Sequence, residues 1–169
     1  MTVPMNRYYE AMDEIAIDGP RHDMGRECEP ILRSLPDWFG IEDSIVDYVG
    51  DIGRMPTFVA IDRDAIVGFI TLNRHFEHAA EMHVLGLLPA YHRQGLGRRL
   101  VDACERWLAS EGVEYVQVKT IAPSKDCKPY AQTRAFYLSM GYRMLEEFPK
   151  LWDPSNPCVI LVKYLGLPR

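Results

Sequence analysis

The chain has 169 residues, a length suited to one domain with a sizeable core. It is 47% hydrophobic and 25% charged, with a net charge of −5 at pH 7. That balance argues against a nucleic-acid surface, which favours a basic stripe, and suits a small cationic or amine-bearing partner.

YYEAMDEIAI (8–17) reads as a first strand and MGRECEPILRS (24–34) as a short helix. A second helix follows Pro36 over 38–52. There Ile41, Ile45, Val46 and Val49 recur at helical spacing among Asp37, Glu42, Asp43, Asp47 and Asp51. Strands at 57–61 and 65–76 flank the tight turn Asp62-Arg63-Asp64, and a third strand, AEMHVLGLL (80–88), is bounded by Pro89. The clearest helical pattern is 95–111, where Leu96, Leu100, Ala103, Cys104, Trp107 and Leu108 share one face and Gly112 ends the run. A strand at 115–121 and a helix at 130–140, stopped by Gly141, come next. Two closing strands near 142–148 and 158–164 are separated by the turn-rich WDPSNP. This order predicts one α/β (α+β) domain over 1–169, with nothing assigned within 1–23 beyond the strand at 8–17. Its sheet is mixed, mostly antiparallel and six- to seven-stranded, with a central parallel strand–helix–strand crossover and about four flanking helices.

No apolar run reaches membrane-spanning length, and the first twenty residues hold no signal-peptide apolar core, so no membrane partner is expected. Cys28, Cys104, Cys127 and Cys158 are widely spaced with no CxxC pair, which predicts free thiols and a cytoplasmic protein.

The stretch PAYHRQGLG, between the strand at 80–88 and the helix at 95–111, places Gly95 and Gly97 at the helix mouth. Each glycine costs about 1 kcal/mol relative to alanine in a helix. Successive N–H groups at a helix N-terminus attract anions, and Arg93, Arg98 and Arg99 add positive charge. A phosphate seated against these donors would account for the glycines. The alternative is a plain helix entry with solvated arginines. No GK[ST] follows, and the third glycine of a dinucleotide-binding fingerprint is missing.

The stretch resembles the pyrophosphate loop [QR]-x-x-G-x-[GA] of the GNAT superfamily of N-acetyltransferases, matched at Gly95-Leu96-Gly97. The [QR] slot falls on His92, beside Arg93 and Gln94. TRAFYLSMGY (133–142) resembles the later A-x-x-x-Y-x-x-x-G-[FY] segment, with Tyr137, Gly141 and Tyr142 in place, Thr133 where alanine is common, and Tyr130 in a frequent asparagine position. The resemblance covers about 57–164.

It implies acetyl-CoA as co-substrate, held by Leu87 and Leu88 along the pantetheine arm and by His92, Arg93, Gln94, Gly95, Leu96, Gly97, Arg98 and Thr133 around the rest. It also implies direct acetyl transfer to a primary amine in a ternary complex, with Tyr137 protonating the leaving thiolate. Cys104 lies on the apolar helix face and is rejected as a nucleophile. Glu81 lies six residues before Leu87, the spacing of the glutamate in the histone-acetylating branch, and is the expected base. His83 shares its strand face by the period of two and is the second candidate. A solvated or packed role is open for both. His75, His78 and His83 match no structural zinc spacing, so no metal is expected.

Family members shape the acceptor site with the first helices and the last hairpin. Here that implies Trp38, Phe39 and Trp152 as apolar walls and Asp37, Glu42 and Asp43 as cation-attracting groups. The acceptor expected is a small-molecule amine. A protein or peptide amine is an alternative, as is a CoA-binding module without acetylation chemistry. A homodimer is possible on this reading.

Overall fold

The structure is a computed structural model that describes residues 15–166. Seven strands form one sheet in the order β1-β2-β3-β4-β5-β7-β6. They are β1 (Ile15–Arg21), β2 (Thr57–Asp62), β3 (Ala65–Phe76), β4 (Ala79–Leu87), β5 (Tyr115–Ile121), β6 (Arg143–Asp153) and β7 (Asn156–Tyr164). Four α-helices flank it: α1 (Gly25–Arg33), α2 (Glu42–Arg54), α3 (Leu96–Ser110) and α4 (Lys128–Ser139). All strand pairs are antiparallel except β4 with β5, the pair that the α3 crossover joins.

The expected architecture holds, with shifted boundaries. The first strand runs Ile15–Arg21, and residues 8–14 of the expected strand lie outside the described residues. The second helix begins at Glu42, because Pro36 and Gly40 favour a turn through Trp38 and Phe39. Its buried positions are Ile45 and Ile52, whereas Ile41 and Val46 are exposed, so the face turns further than the apolar spacing predicts. The last hairpin is tighter than expected: Asp153 pairs with Asn156, leaving Pro154 and Ser155 as the whole turn.

The sheet carries a core on each face. On one, α3 buries Leu96, Leu100, Val101, Cys104 and Leu108, and α4 adds Tyr137. On the other, Cys28, Ile31 and Leu32 of α1 and Ile45 and Ile52 of α2 pack on Val59, Phe69 and Val84. Burying one such aliphatic side chain contributes roughly 1.5–3 kcal/mol. The two layers thus fix the sheet between them. Among the described residues no helix is long and apolar enough to cross a membrane, and all four cysteines are free.

Candidate active site

The parallel pairing of β4 with β5 lasts only three residues: Ala79 with Tyr115, Ala80 with Val116 and Glu81 with Gln117. Beyond Glu81 the strands part. Met82 to Leu87 form one wall of the opening, and Val118 to Ile121 form the other. The cavity between them has a volume of about 670 Å³, within the range that holds a small-molecule ligand.

The opening exposes backbone. Leu88 N–H donates to Val67 O at 2.9 Å, so it faces β3 and turns away from the gap. Alternation then directs the N–H and C=O of Leu85 and Leu87 into it. Leu88 O accepts from Tyr91 N–H, which leaves neither Leu88 group to face the cavity. Leu87 O accepts from His92 Nε2 at 2.8 Å, so the imidazole in the [QR] slot braces the loop against the strand end.

The glycine loop closes one end. Gly95 is the N-cap of α3 at φ +79, a left-handed conformation that costs a non-glycine residue roughly 1–2 kcal/mol. A Cβ there would meet nothing within 4 Å, so this backbone angle, not crowding, calls for glycine. Arg93 also has positive φ, at 62°. The first backbone bond into α3 runs from Arg99 N–H to Gly95 O, so the preceding N–H groups are left over at the positive helix end. Arg93, Gly95, Leu96 and Gly97 line the cavity. Gln94 is turned back onto Ala90 O, and Arg98 lies 3.4 Å from Ser139 Oγ. Strand edge and cradle together fit an extended pantetheine arm ending in a pyrophosphate.

Tyr137 lines the cavity from α4, with its ring packed between Phe136 and Tyr142. Burial pushes its phenol well above the ordinary value, so it stays protonated and can donate. Cys104 is buried, and its thiol is raised by burial too, so it supplies no thiolate.

The structure separates Glu81 from His83. Glu81 is 4% exposed at the point where the strands part, and it is not among the cavity-lining residues. Its Oε2 accepts from Lys119 Nζ at 2.9 Å and Gln117 Nε2 at 3.2 Å, and lies 2.6 Å from His75 Nε2. Burial opposes its ionisation, but His83, Lys119 and His75 gathered round it outweigh that and hold it at about 2. His83 does line the cavity. Its Nε2 lies 2.8 Å from Asp51 Oδ2 on α2, and its Nδ1 lies 3.8 Å from Glu81 Oε1. Burial pulls its pKa down, yet the Glu81 and Asp51 carboxylates carry it above the usual imidazole value. Tyr48 of α2 packs on the ring at 5.7 Å.

Trp38, Phe39 and Trp152 all line the cavity. Asp37, Glu42 and Asp43 do not, and both carboxylate oxygens of Glu42 are bonded to Arg33. Thr133 Oγ1 accepts from Trp38 Nε1, so the turn before α2 is fastened to α4 across the opening. Tyr130 OH donates to Trp38 O at 2.6 Å alongside. Asp51, Lys119 and Tyr130 complete the site. Sequence reasoning counts Asp51 only as one of several acids and assigns the other two no such part.

A splayed parallel pair, a glycine-capped helix and a protonated tyrosine converge on one cavity. The model of the Acetyltransferase (GNAT) family matches residues 26–142. The chain belongs to the GNAT acetyltransferase family. A curated relative, an uncharacterized N-acetyltransferase of Chlorobaculum tepidum, is 28% identical over 119 residues, or 69% of this chain. The match spans 66% of that relative's length, just under two thirds. A GNAT-family structure from Desulfovibrio desulfuricans is similar with a TM-score of 0.77 at 14% identity, covering 90% of this chain and 99% of that one. An aminoglycoside 6'-N-acetyltransferase complexed with coenzyme A gives 0.70 at 19% identity over 91% and 98%. The ribosomal-protein-S18-alanine N-acetyltransferase from Escherichia coli gives 0.71 at 18% identity over 90% and 95%. At these identities the structural likeness carries the fold.

Proposed function

We propose that this GNAT protein transfers an acetyl group from acetyl-CoA to a primary amine of a small molecule, by direct attack in a ternary complex. The observation that carries the reading is the opening of β4 from β5 after Glu81, with the glycine cradle, Tyr137 and His83 on one cavity. The structural neighbours include acetylators of a small molecule and of a protein amine. The aromatic walls Trp38, Phe39 and Trp152 support the former, because they suit the flat faces of a compact ligand.

Acetyl-CoA, when bound, supplies an activated acyl group as a thioester. The first N–H groups of α3 and Arg93 hold the pyrophosphate, and Leu85 and Leu87 align the pantetheine arm along the free edge of β4. Tyr137 donates its phenolic proton to the departing sulfur. An amine arrives mostly as an ammonium and needs a base. His83 fills that role in this proposal, since it lines the cavity, and Glu81, spent on Lys119 and His75, stands behind it. With Nε2–H directed to Asp51, neutral His83 keeps a lone pair on Nδ1, which faces Glu81 Oε1 at 3.8 Å, so the proton it takes from the amine, relayed through water, is held against that carboxylate. Asp51 fixes the tautomer and strengthens the base.

Free-thiol release from acetyl-CoA, run against a panel of polyamines, amino sugars, amino acids and peptides with mass spectrometry of the products, tests the reading. Acetylated small amines are expected. Coenzyme A binding with no acetylated product from any amine would leave a CoA-binding module, and acetylated peptides alone would move the acceptor to protein.

A further inference from the structure

Besides its imidazoles, the cavity is lined by three charged side chains among the described residues: Arg93, Lys119 and Asp153. Arg93 stands in the anion cradle, and Lys119 is paired with Glu81 at 2.9 Å. Asp153 is the one carboxylate on the lining, and it takes part in no salt bridge among the described residues. Its position is fixed from behind. Oδ1 accepts from Ser155 N–H at 2.8 Å, and Oδ2 accepts from Asn156 Nδ2 at 2.9 Å. Asn156 Oδ1 in turn accepts from Lys125 Nζ at 3.0 Å, which sets the way its amide faces. The Asn156 and Ser155 donors, with the Lys125 charge adding to them, hold the Asp153 carboxyl below its ordinary value, so it is ionised near neutral pH. One bond to each oxygen leaves both with further accepting capacity. Trp152 lines the cavity beside it and offers a ring face that a cation can lie on.

The ladders set how far this carboxylate stands from the reaction. His83 and Lys119 lie two residues past the paired Glu81 and Gln117, so they stand at about the same height. Lys119 pairs with Ile160, and Asn156, the partner of Asp153, lies four residues from Ile160 on the same strand, about 13 Å. Side-chain reach at both ends reduces the span between their ligands to about 10 Å. Like charges repel, so the phosphates of CoA belong with Arg93, and the Asp153 end is left to the acceptor.

We propose that the acceptor carries a second protonated amine about 10 Å from the one acetylated, and that Asp153, with Trp152 beside it, holds that second charge. This rests on the reading of the protein as an amine acetyltransferase. A linear diamine or polyamine and a multiply aminated sugar share this chemistry. A second ammonium meets a carboxylate with no opposing ion, whereas a distal carboxylate or phosphate meets repulsion. The selection is therefore for charge at a distance, made by a residue remote from the proton transfer.

The test compares kcat/KM, by free-thiol release, for linear diamines of increasing length with amino alcohols of matched length. A diamine that spans the distance should exceed its amino alcohol by about fivefold, beyond the factor that two identical ends supply. A short diamine should show no such excess, and added salt should erode the excess of the long one. Asp153→Asn should abolish the preference, and Asp153→Lys should transfer it to an amine with a distal carboxylate. Damage to the hairpin would lower both members of a pair and leave their ratio standing. A multiply aminated sugar preferred over the long diamine, with that preference lost in Asp153→Asn, would support the same subsite and mark a sugar as its occupant. Equal kcat/KM for the long pair in the wild-type chain overturns the proposal, and so does a preference that survives Asp153→Asn. If no amine is acetylated, the proposed reaction fails, and calorimetry of the long diamine with the CoA-loaded protein decides the subsite separately. Binding that Asp153→Asn abolishes supports it, and absent or unaltered binding overturns it.

Discussion

The indole N–H of Trp38 donates to Thr133 Oγ1 at 3.1 Å, joining two residues 95 positions apart. Trp38 belongs with the helix layer on one face of the sheet, and Thr133 lies on α4 on the other. They meet because β4 and β5 part between them. The bond therefore roofs the channel proposed for the pantetheine arm. Trp38→Phe keeps most of the ring and removes the donor. A lost hydrogen bond of about 1 kcal/mol corresponds to roughly a fivefold change. KM for acetyl-CoA should rise by about that factor with kcat nearly unchanged, as steady-state kinetics would show. A fall in kcat alone would place Trp38 on the acceptor side.

Gly95 separates backbone conformation from charge. Gly95→Ala meets no neighbour and pays only for φ +79, so it should lower stability by about 1 kcal/mol and leave CoA binding within severalfold. Gly95→Glu pays the same backbone cost and adds a carboxylate at the anion cradle. Calorimetry should find CoA binding abolished in that folded variant. Equal affinity in the two variants would mean that the pyrophosphate sits elsewhere.

Tyr137→Phe should lower kcat by about ten- to ten-thousandfold, the range of a lost general acid or just below it. CoA affinity should change little, because the ring packing against Phe136 and Tyr142 remains. Burial holds the phenol protonated, so the wild-type profile should show no loss of this acid near neutral pH. Turnover that is unaffected by the substitution would hand protonation of the sulfur to water.

Features that depend on local chain order were legible in the sequence: the α3 face of Leu96, Leu100, Cys104 and Leu108, a glycine at the mouth of α3 and the stop at Gly112; the left-handed φ of Gly95 was not. Features that depend on register were not. Asp51 is one acid among several around α2, and nothing local says that it meets His83 from 32 positions away. Glu81 is paired because β3 and β5 bring His75 and Lys119 beside it, which no spacing within β4 reveals. Asp37 and Glu42 lie close in sequence to Trp38 and Phe39, yet neither lines the cavity and Glu42 is held by Arg33. WDPSNP looked like a loop because Pro and Asn favour turns, but Asp153 and Asn156 continue the ladder and leave two residues to turn.

The Glu81 cluster makes a stability claim with a sign. A carboxyl held at about 2, below its ordinary 4.5, stabilises the fold above pH 4.5 and loses that contribution as pH falls from 4.5 towards 2. Glu81→Gln removes the charge and leaves Lys119 without its carboxylate. Breaking a buried pair in this way costs about 3 kcal/mol. Denaturant titrations should show that loss at pH 7 and a smaller one near pH 2. An equal loss at both would attribute the effect to packing.

Asp51→Asn tests the proposed base. His83 must be neutral to take a proton, so kcat/KM should rise with pH through its pKa. Asp51 and Glu81 hold that pKa above the usual imidazole value by stabilising the imidazolium. Removing the Asp51 charge lowers it. The rising limb should therefore move to lower pH, while the plateau falls by about tenfold as the base weakens and loses its orientation. His83→Gln should remove the limb and lower the plateau further. Glu81→Gln should move the limb in the same direction as Asp51→Asn, because both carboxylates face the same ring. Were Glu81 itself the base, held at about 2 it would already be ionised and give no rising limb in this range, its loss would lower the plateau, and Asp51→Asn would not move the profile. That outcome, read from kcat/KM between pH 5 and 9, returns the role to Glu81 and leaves His83 as its neighbour.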